Sequence, residues 1–240
     1  MQRLFASLML ALVAIVAVFA IAHRGPWMAP FAIGIGVWVM AGAVQDLITR
    51  SRFGDLKIGV AMARLRGLPR GAYGMACAHF GVGLMVVGIA ATSAYRLEQN
   101  IVMKPDQTVD FADYQLTFKG VAPARGPNYV EQQGVFAVGL DGQPLTTLRP
   151  AKRVYQASRQ NTTEAGIRAS FVGDLYVILG DEKDAGAYSI KLYFNPLVRF
   201  IWIGAVIMFI GGFLSLSDRK LRVGAPRRAA RQEASDAPAV

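Results

Sequence analysis

The 240-residue chain is 53% hydrophobic and only 18% charged, where soluble domains carry about 25% charged residues, which excludes an ordinary soluble domain and points to lipid. A formal net charge of +10 suggests nucleic acid at first sight, yet residues 96–196 hold eleven basic and eleven acidic side chains. The excess lies beside the apolar runs, chiefly over 50–70 and 219–231; such charge sets membrane orientation and meets anionic lipid, and it argues against a nucleic-acid partner.

In chain order, the first candidate span is Leu4–Ala22, nineteen residues without a charge and long enough for a bilayer core. Met1-Gln2-Arg3 ahead of it and Ala20-Ile21-Ala22 at its end also suit a signal peptide. The apolar stretch exceeds the roughly 7–15 residues of a signal core, so a retained helix is expected. After the turn His23–Trp27 a second span covers 28–48, with Trp27 placed as an interfacial residue and Gln45 and Asp46 at the exit. The loop 49–71 carries Arg50, Arg52, Lys57, Arg64, Arg66 and Arg70 against Asp55 alone. The positive-inside rule puts it in the cytoplasm. Within it, Ile58–Leu68 mixes apolar and basic residues and is expected to form a short surface helix.

A third span is predicted over 72–95 and a fourth over 197–216. The segment 217–240 begins with Arg219, Lys220 and Arg222, and reads as a cytoplasmic stop followed by a disordered basic tail. Four transmembrane helices with both basic segments inside give an N-in/C-in arrangement, and leave 96–196 as an extracytoplasmic, periplasmic domain. That segment reads as β. Asp113–Gly120 alternates with period two, as does part of Val135–Val138, and Asp141-Gly142 is a hairpin signal between Val135–Leu140 and Leu145–Leu148. Val154-Tyr155, Phe171, Leu175–Leu179 and Tyr188–Phe194 supply further strands, so a small antiparallel β-sandwich or barrel is expected.

Only two histidines are present, His23 and His79. His79 lies seven residues past Ala72, roughly 10 Å into the membrane at the helical rise. An ionisable residue at that depth is costly and marks a site by default. Ala72, Ala76, Gly83 and Ala90 share its helical face. Such a stripe leaves room for a flat, bulky group such as a porphyrin; equally, it lets helices pack closely while the imidazole bonds across them. Both readings stand on the residues alone. His23, at the opposite membrane face, reads as an ordinary interfacial residue. Cys77, the single cysteine, reads as a small buried apolar side chain. The outer segment has no histidine or cysteine, which removes the usual nucleophile–base pairs. Its basic cluster Arg149–Arg153, with Lys152 and Arg153 at the core, is a docking candidate for propionates or an acidic partner, although such clusters are more often solvated surface.

The run Gly71-Ala72-Tyr73-Gly74-Met75-Ala76-Cys77-Ala78-His79-Phe80-Gly81 resembles the histidine-bearing helix of CcmF, the haem lyase family of bacterial cytochrome c maturation. The resemblance continues in Gly126–Tyr129, Leu148–Tyr155, Thr163–Ala165, Asp174–Gly180 and Asn195–Trp202, and closes on Leu216–Lys220. It implies that His79 is an axial ligand of a haem b within the membrane; on that reading Ala76 and Gly83, from the small-residue face of the same helix, are the haem-facing small residues. It further implies part of a haem lyase complex in the bacterial inner membrane, which attaches haem from a haem chaperone to the CxxCH cysteines of apocytochrome c. The implied partners are an N-terminal CcmF-like portion with a Trp-rich segment, the subunits that reduce and present apocytochrome c, and membrane lipid.

Two departures bear on this. Ala151 stands where the family has an acidic residue before Lys-Arg, and only Trp27, Trp38 and Trp202 are present, so the Trp-rich segment is missing. The chain therefore resembles only about the C-terminal third of the family, as a split subunit, a truncation or a fragment. The rival expectation, from a different class, is a non-catalytic membrane scaffold whose outer β domain recruits another protein.

Overall fold

The computed structural model describes residues 5–22, 25–183 and 186–218. His23 and the tail beyond 218, including Arg219 and Lys220 of the closing motif, lie outside the described residues. Five helices occur among the described residues: α1 (Phe5–Ile21), α2 (Ala29–Ser51), α3 (Ile58–Arg66), α4 (Arg70–Tyr95) and α5 (Arg199–Leu216). Of these, α2, α4 and α5 are long and apolar enough to cross a membrane, while α1 is apolar but has 17 residues. The short α3 falls within the stretch expected to be a surface helix, with Ala61 buried and most of its other side chains exposed.

The chain divides into two compact units. The helical unit takes residues 5–22, 30–87 and 201–218, and the other takes 25–29 and 88–200. In the helical unit the helices approach through glycines. A Cβ on Gly83 would lie 2.5 Å from the Gly36 carbonyl oxygen, one on Gly81 2.6 Å from that of Gly204, and one on Gly74 2.6 Å from that of Gly211. Lipid offers no hydrophobic drive to bring helices together, so close backbone approach through small residues supplies the van der Waals contact instead. Two polar ties close the far end. Asp218 Oδ2 accepts the Gly71 N–H at 2.8 Å, and the Tyr73 hydroxyl donates to the Leu65 carbonyl. The first tie satisfies one of the orphan amides of the α4 N-terminus with a carboxylate, the charge that this end of a helix dipole prefers.

The second unit is a two-sheet antiparallel sandwich. One sheet has the order β1 (Leu97–Met103), β10 (Tyr188–Pro196), β9 (Gly173–Glu182), β8 (Gly166–Arg168). The other has the order β2 (Thr108–Phe111), β3 (Tyr114–Arg125), β4 (Tyr129–Leu140), β6 (Ala151–Tyr155), β7 (Asn161–Glu164), with β5 (Gln143–Leu148) also paired to β4. The alternation read in 113–120 is the buried pattern of β3, where Tyr114, Leu116 and Phe118 point inward. They meet Phe136, Val138, Leu175, Val177, Leu179, Ile190 and Leu192 in one core, in which Phe118 and Phe136 stack 4.9 Å apart. The expected hairpin forms with a two-residue loop, Leu140 opposite Gln143, and positive φ at Asp141 (52°) and Gly142 (74°). Those are the dihedrals that match strand twist in such a turn.

One strand expectation is corrected. Phe171 is not in a strand; it sits with Val172 in the turn between β8 and β9. The lone apolar pair lacked alternation, and the neighbouring Ser170 and Gly173 make a turn of it. Within this second unit, the Thr92 hydroxyl, near the end of α4, donates to the Pro196 carbonyl of β10 at 2.8 Å.

Candidate functional site

Helix α4 carries His79 two turns in from its first residue. The imidazole Nδ1 lies 2.9 Å from the Met75 carbonyl oxygen one turn back. A carbonyl only accepts, so this bond places the proton on Nδ1 and leaves the Nε2 lone pair of the neutral ring free. The ring is exposed on this chain. It opens onto a cavity of about 290 Å³ lined by Trp38, Val39, Gly42, Ala43 and Asp46 of α2 and by Met75, Ala76 and His79 of α4. The lining is apolar except for His79, Asp46 and the indole N–H of Trp38. Asp46 is paired with Arg50 at 2.7 Å, one turn on along α2.

The expected haem-facing residues separate. Ala76 lines the cavity with His79, whereas Gly83 is buried against the Gly36 backbone of α2 and serves the helix crossing instead. Sequence reasoning missed the α2 wall. Its signal was the spacing Trp38, Gly42, Asp46, a single i, i+4 ridge of a large, a small and an acidic residue. Among the described residues no group of three or more His, Cys, Asp or Glu side chains could hold a metal ion. The residues present fit one face of a haem: a single imidazole with Nδ1 tied to the backbone, beside a wall that is apolar but for the Asp46–Arg50 pair and the Trp38 indole N–H.

The docking candidates on the sandwich have partners within it. Lys152 Nζ donates to Asp181 Oδ1 of β9, and it holds that carboxyl below the usual carboxylate range. Arg153 binds Glu131 at 2.9 Å and Glu164 at 3.3 Å, and its guanidinium lies 3.9 Å from the Tyr129 ring centroid. The hydrogen bonds that Arg153 donates to Tyr155 and then to Glu131 raise its pKa further above its usual value, so it is a fixed cation. The register explains the arrangement: Glu131 pairs with Arg153, and Tyr129 with Tyr155, directly across β4 and β6.

The family described as the CcmF C-terminal beta-sandwich matches residues 94–196. The cytochrome c-type biogenesis protein CycK of Rhizobium meliloti (strain 1021) is 45% identical over 235 residues, 98% of this chain and 35% of that protein. The chain belongs with the CcmF family, as its C-terminal portion. The cytochrome c-type biogenesis protein CcmF of Pseudomonas aeruginosa is 35% identical over 189 residues, 79% of this chain and 28% of that protein. A solved structure titled Cytochrome c Heme Lyase CcmF superposes with a TM-score of 0.65 over 89% of this chain and 34% of that one; at 20% identity it shares the fold. This CcmF-family chain thus spans about a third of the length of the curated relatives it matches.

Proposed function

We propose that this chain is the C-terminal part of a haem lyase assembly in a bacterial inner membrane, and that His79 supplies one axial ligand to a haem b held beside α2 and α4. The observation that carries the reading is the imidazole itself, with Nδ1 tied to Met75 and the ring lining a largely apolar cavity. Ionisable side chains at membrane depth almost always face a protein interior or a ligand, because hydrocarbon cannot solvate them. An imidazole exposed on this chain therefore suits a site completed by a second surface. The N-terminal CcmF-like portion is the natural source of that surface and of the opposing ligand, since the relatives extend well beyond this chain.

When bound, the haem supplies a one-electron redox centre. The chain's own residues orient the imidazole, hold its tautomer and supply the largely apolar wall beside it. The sandwich lies on the periplasmic side, with the N-terminus and the basic loop in the cytoplasm, and the assembly joins haem from a chaperone to apocytochrome c. The relatives named for cytochrome c-type biogenesis support that role.

The test is to co-purify the chain with its N-terminal CcmF-like portion and record the haem spectrum of His79→Ala. Loss or a large shift of the low-spin b-type bands is expected. An unchanged bis-histidine-like spectrum refutes the ligand assignment.

A further inference from the structure

The turn between β8 and β9 ends in two adjacent apolar side chains, Phe171 and Val172, which are 69% and 71% exposed. Single exposed apolar residues are ordinary on any protein surface, so exposure alone carries little. Depth is what distinguishes this pair. The Leu197 N–H donates to the Val172 carbonyl at 2.9 Å, which fastens the turn to the entrance of α5. Arg199, the first residue of α5, reaches back to Asp174 at 3.6 Å, and its guanidinium lies 5.7 Å from the Phe171 ring centroid.

Helix α5 has 18 residues. At 1.5 Å each they span roughly 27 Å, against a hydrocarbon core of about 30 Å. Essentially the whole of α5 is needed to cross, so Arg199 sits at the headgroup level and Phe171 lies beside it. The turn is also built to present apolar groups. Ser170 N–H donates to Asp174 Oδ1 at 3.0 Å, Ser170 Oγ donates to the Gly173 carbonyl at 2.5 Å, and Gly173 N–H donates to Ser170 Oγ at 3.1 Å. These bonds and the one from Leu197 satisfy the Ser170 and Gly173 amides, the Ser170 hydroxyl and the Gly173 and Val172 carbonyls, which lowers the cost of taking the turn out of water.

We propose that the Phe171–Val172 tip is a membrane anchor of the sandwich, seated in phospholipid at the acyl–headgroup boundary where α5 enters the bilayer. Arg199 and Asp174 stay at the headgroups, paired above the apolar tip. The anchor sets the tilt of the sandwich relative to the membrane plane. It is independent of the haem assignment, because it uses no residue of the His79 cavity.

The test uses the full chain with Cys77→Ser and a single reporter cysteine, Val172→Cys or Gln143→Cys, each carrying an environment-sensitive fluorophore. The protein is reconstituted in phosphatidylethanolamine–phosphatidylglycerol vesicles whose acyl chains are brominated near the glycerol end. At Val172 the brominated lipid is expected to quench emission roughly twofold, with little quenching by aqueous iodide, as for an apolar group a few ångströms into the boundary. At Gln143, exposed on the β4–β5 hairpin, the two quenchers are expected to reverse. Iodide quenching at Val172 equal to that at Gln143 overturns the proposal, and protection from both quenchers overturns it in favour of a protein cover. If Val172→Cys does not fold, Phe171→Trp in the same vesicles gives the same readout against the parent chain.

Discussion

Gly36 and Gly83 meet backbone to backbone: a Cβ on either would fall within 2.7 Å of the other's carbonyl oxygen. The cavity beside them is different, since a Cβ on Gly42 would meet nothing within 4 Å. These two environments make opposite predictions for the same kind of substitution. Gly83→Ala forces α2 and α4 apart and is expected to lower the thermal midpoint in detergent, by a loss of about 1–3 kcal/mol typical of overpacking. Gly42→Leu fills open space and improves helix propensity by up to about 1 kcal/mol. It is expected to leave the midpoint unchanged or higher while reducing haem content of the co-purified assembly severalfold. Full haem occupancy in Gly42→Leu would count against the cavity as the haem wall.

Asp218 is expected to act as a remote cap on α4. Its carboxylate accepts the Gly71 N–H and is 9% exposed, so Asp218→Ala leaves that amide unpaired. The expected cost is about 1–2 kcal/mol, in the range for losing a helix cap. Asp218→Asn keeps an acceptor and is expected to recover most of it. Thermal unfolding of the three proteins side by side checks this, and equal midpoints would dismiss the cap.

The Lys152–Asp181 pair gives the sandwich a pH dependence of defined sign. Lys152 holds the Asp181 carboxyl below its unfolded value, so the stabilisation is present above the usual carboxylate range and is lost as the pH falls through the folded value. Asp181→Asn is therefore expected to unfold more easily than the parent at neutral pH. The difference should vanish in acid, once the pH has fallen through the folded value that Lys152 holds below the usual carboxylate range. A gap that persists in acid would assign the effect to packing. Both side chains are solvent-accessible, so raising the salt concentration should also narrow the gap.

Phe118 is fully buried and stacked on Phe136 between the two sheets. Phe118→Ala is expected to cost about 3–5 kcal/mol through lost burial and the remaining cavity. Because the sandwich and the helices are separate compact units, proteolysis should then cut first within 97–196. Early cleavage within α2 or α4 would contradict that independence.

Much of this was legible in the residues. Uncharged runs near twenty residues long declare helices for lipid, because their backbone must bond internally there. Period-two alternation in 114–118 and the Asp141-Gly142 turn declared β3 and the β4–β5 hairpin. The strand β1 and the short strands β2, β7 and β8 escaped; four residues such as Asn161–Glu164 carry no pattern of their own and are a strand only by pairing with β6. Phe171 misled for the same reason: an apolar residue says that burial is sought, and not in what structure.

His79 marked itself from sequence alone, by its charge chemistry at membrane depth and the small residues around it. Which small residues share its surroundings was a tertiary matter. Ala76 and Gly83 are seven apart on one helix, nearly in phase, yet one borders an open cavity and the other a second backbone. Helical phase says which way a side chain points, and only the packing of α2 decides what stands there. The same holds for Lys152 and Arg153: their charge was plain in the sequence, but strand register placed Glu131 opposite one and the sandwich brought Asp181 to the other. Covalent pattern determined where the membrane and the sheet lie along the chain; contacts between residues distant in sequence determined which of its polar groups remain available to a ligand.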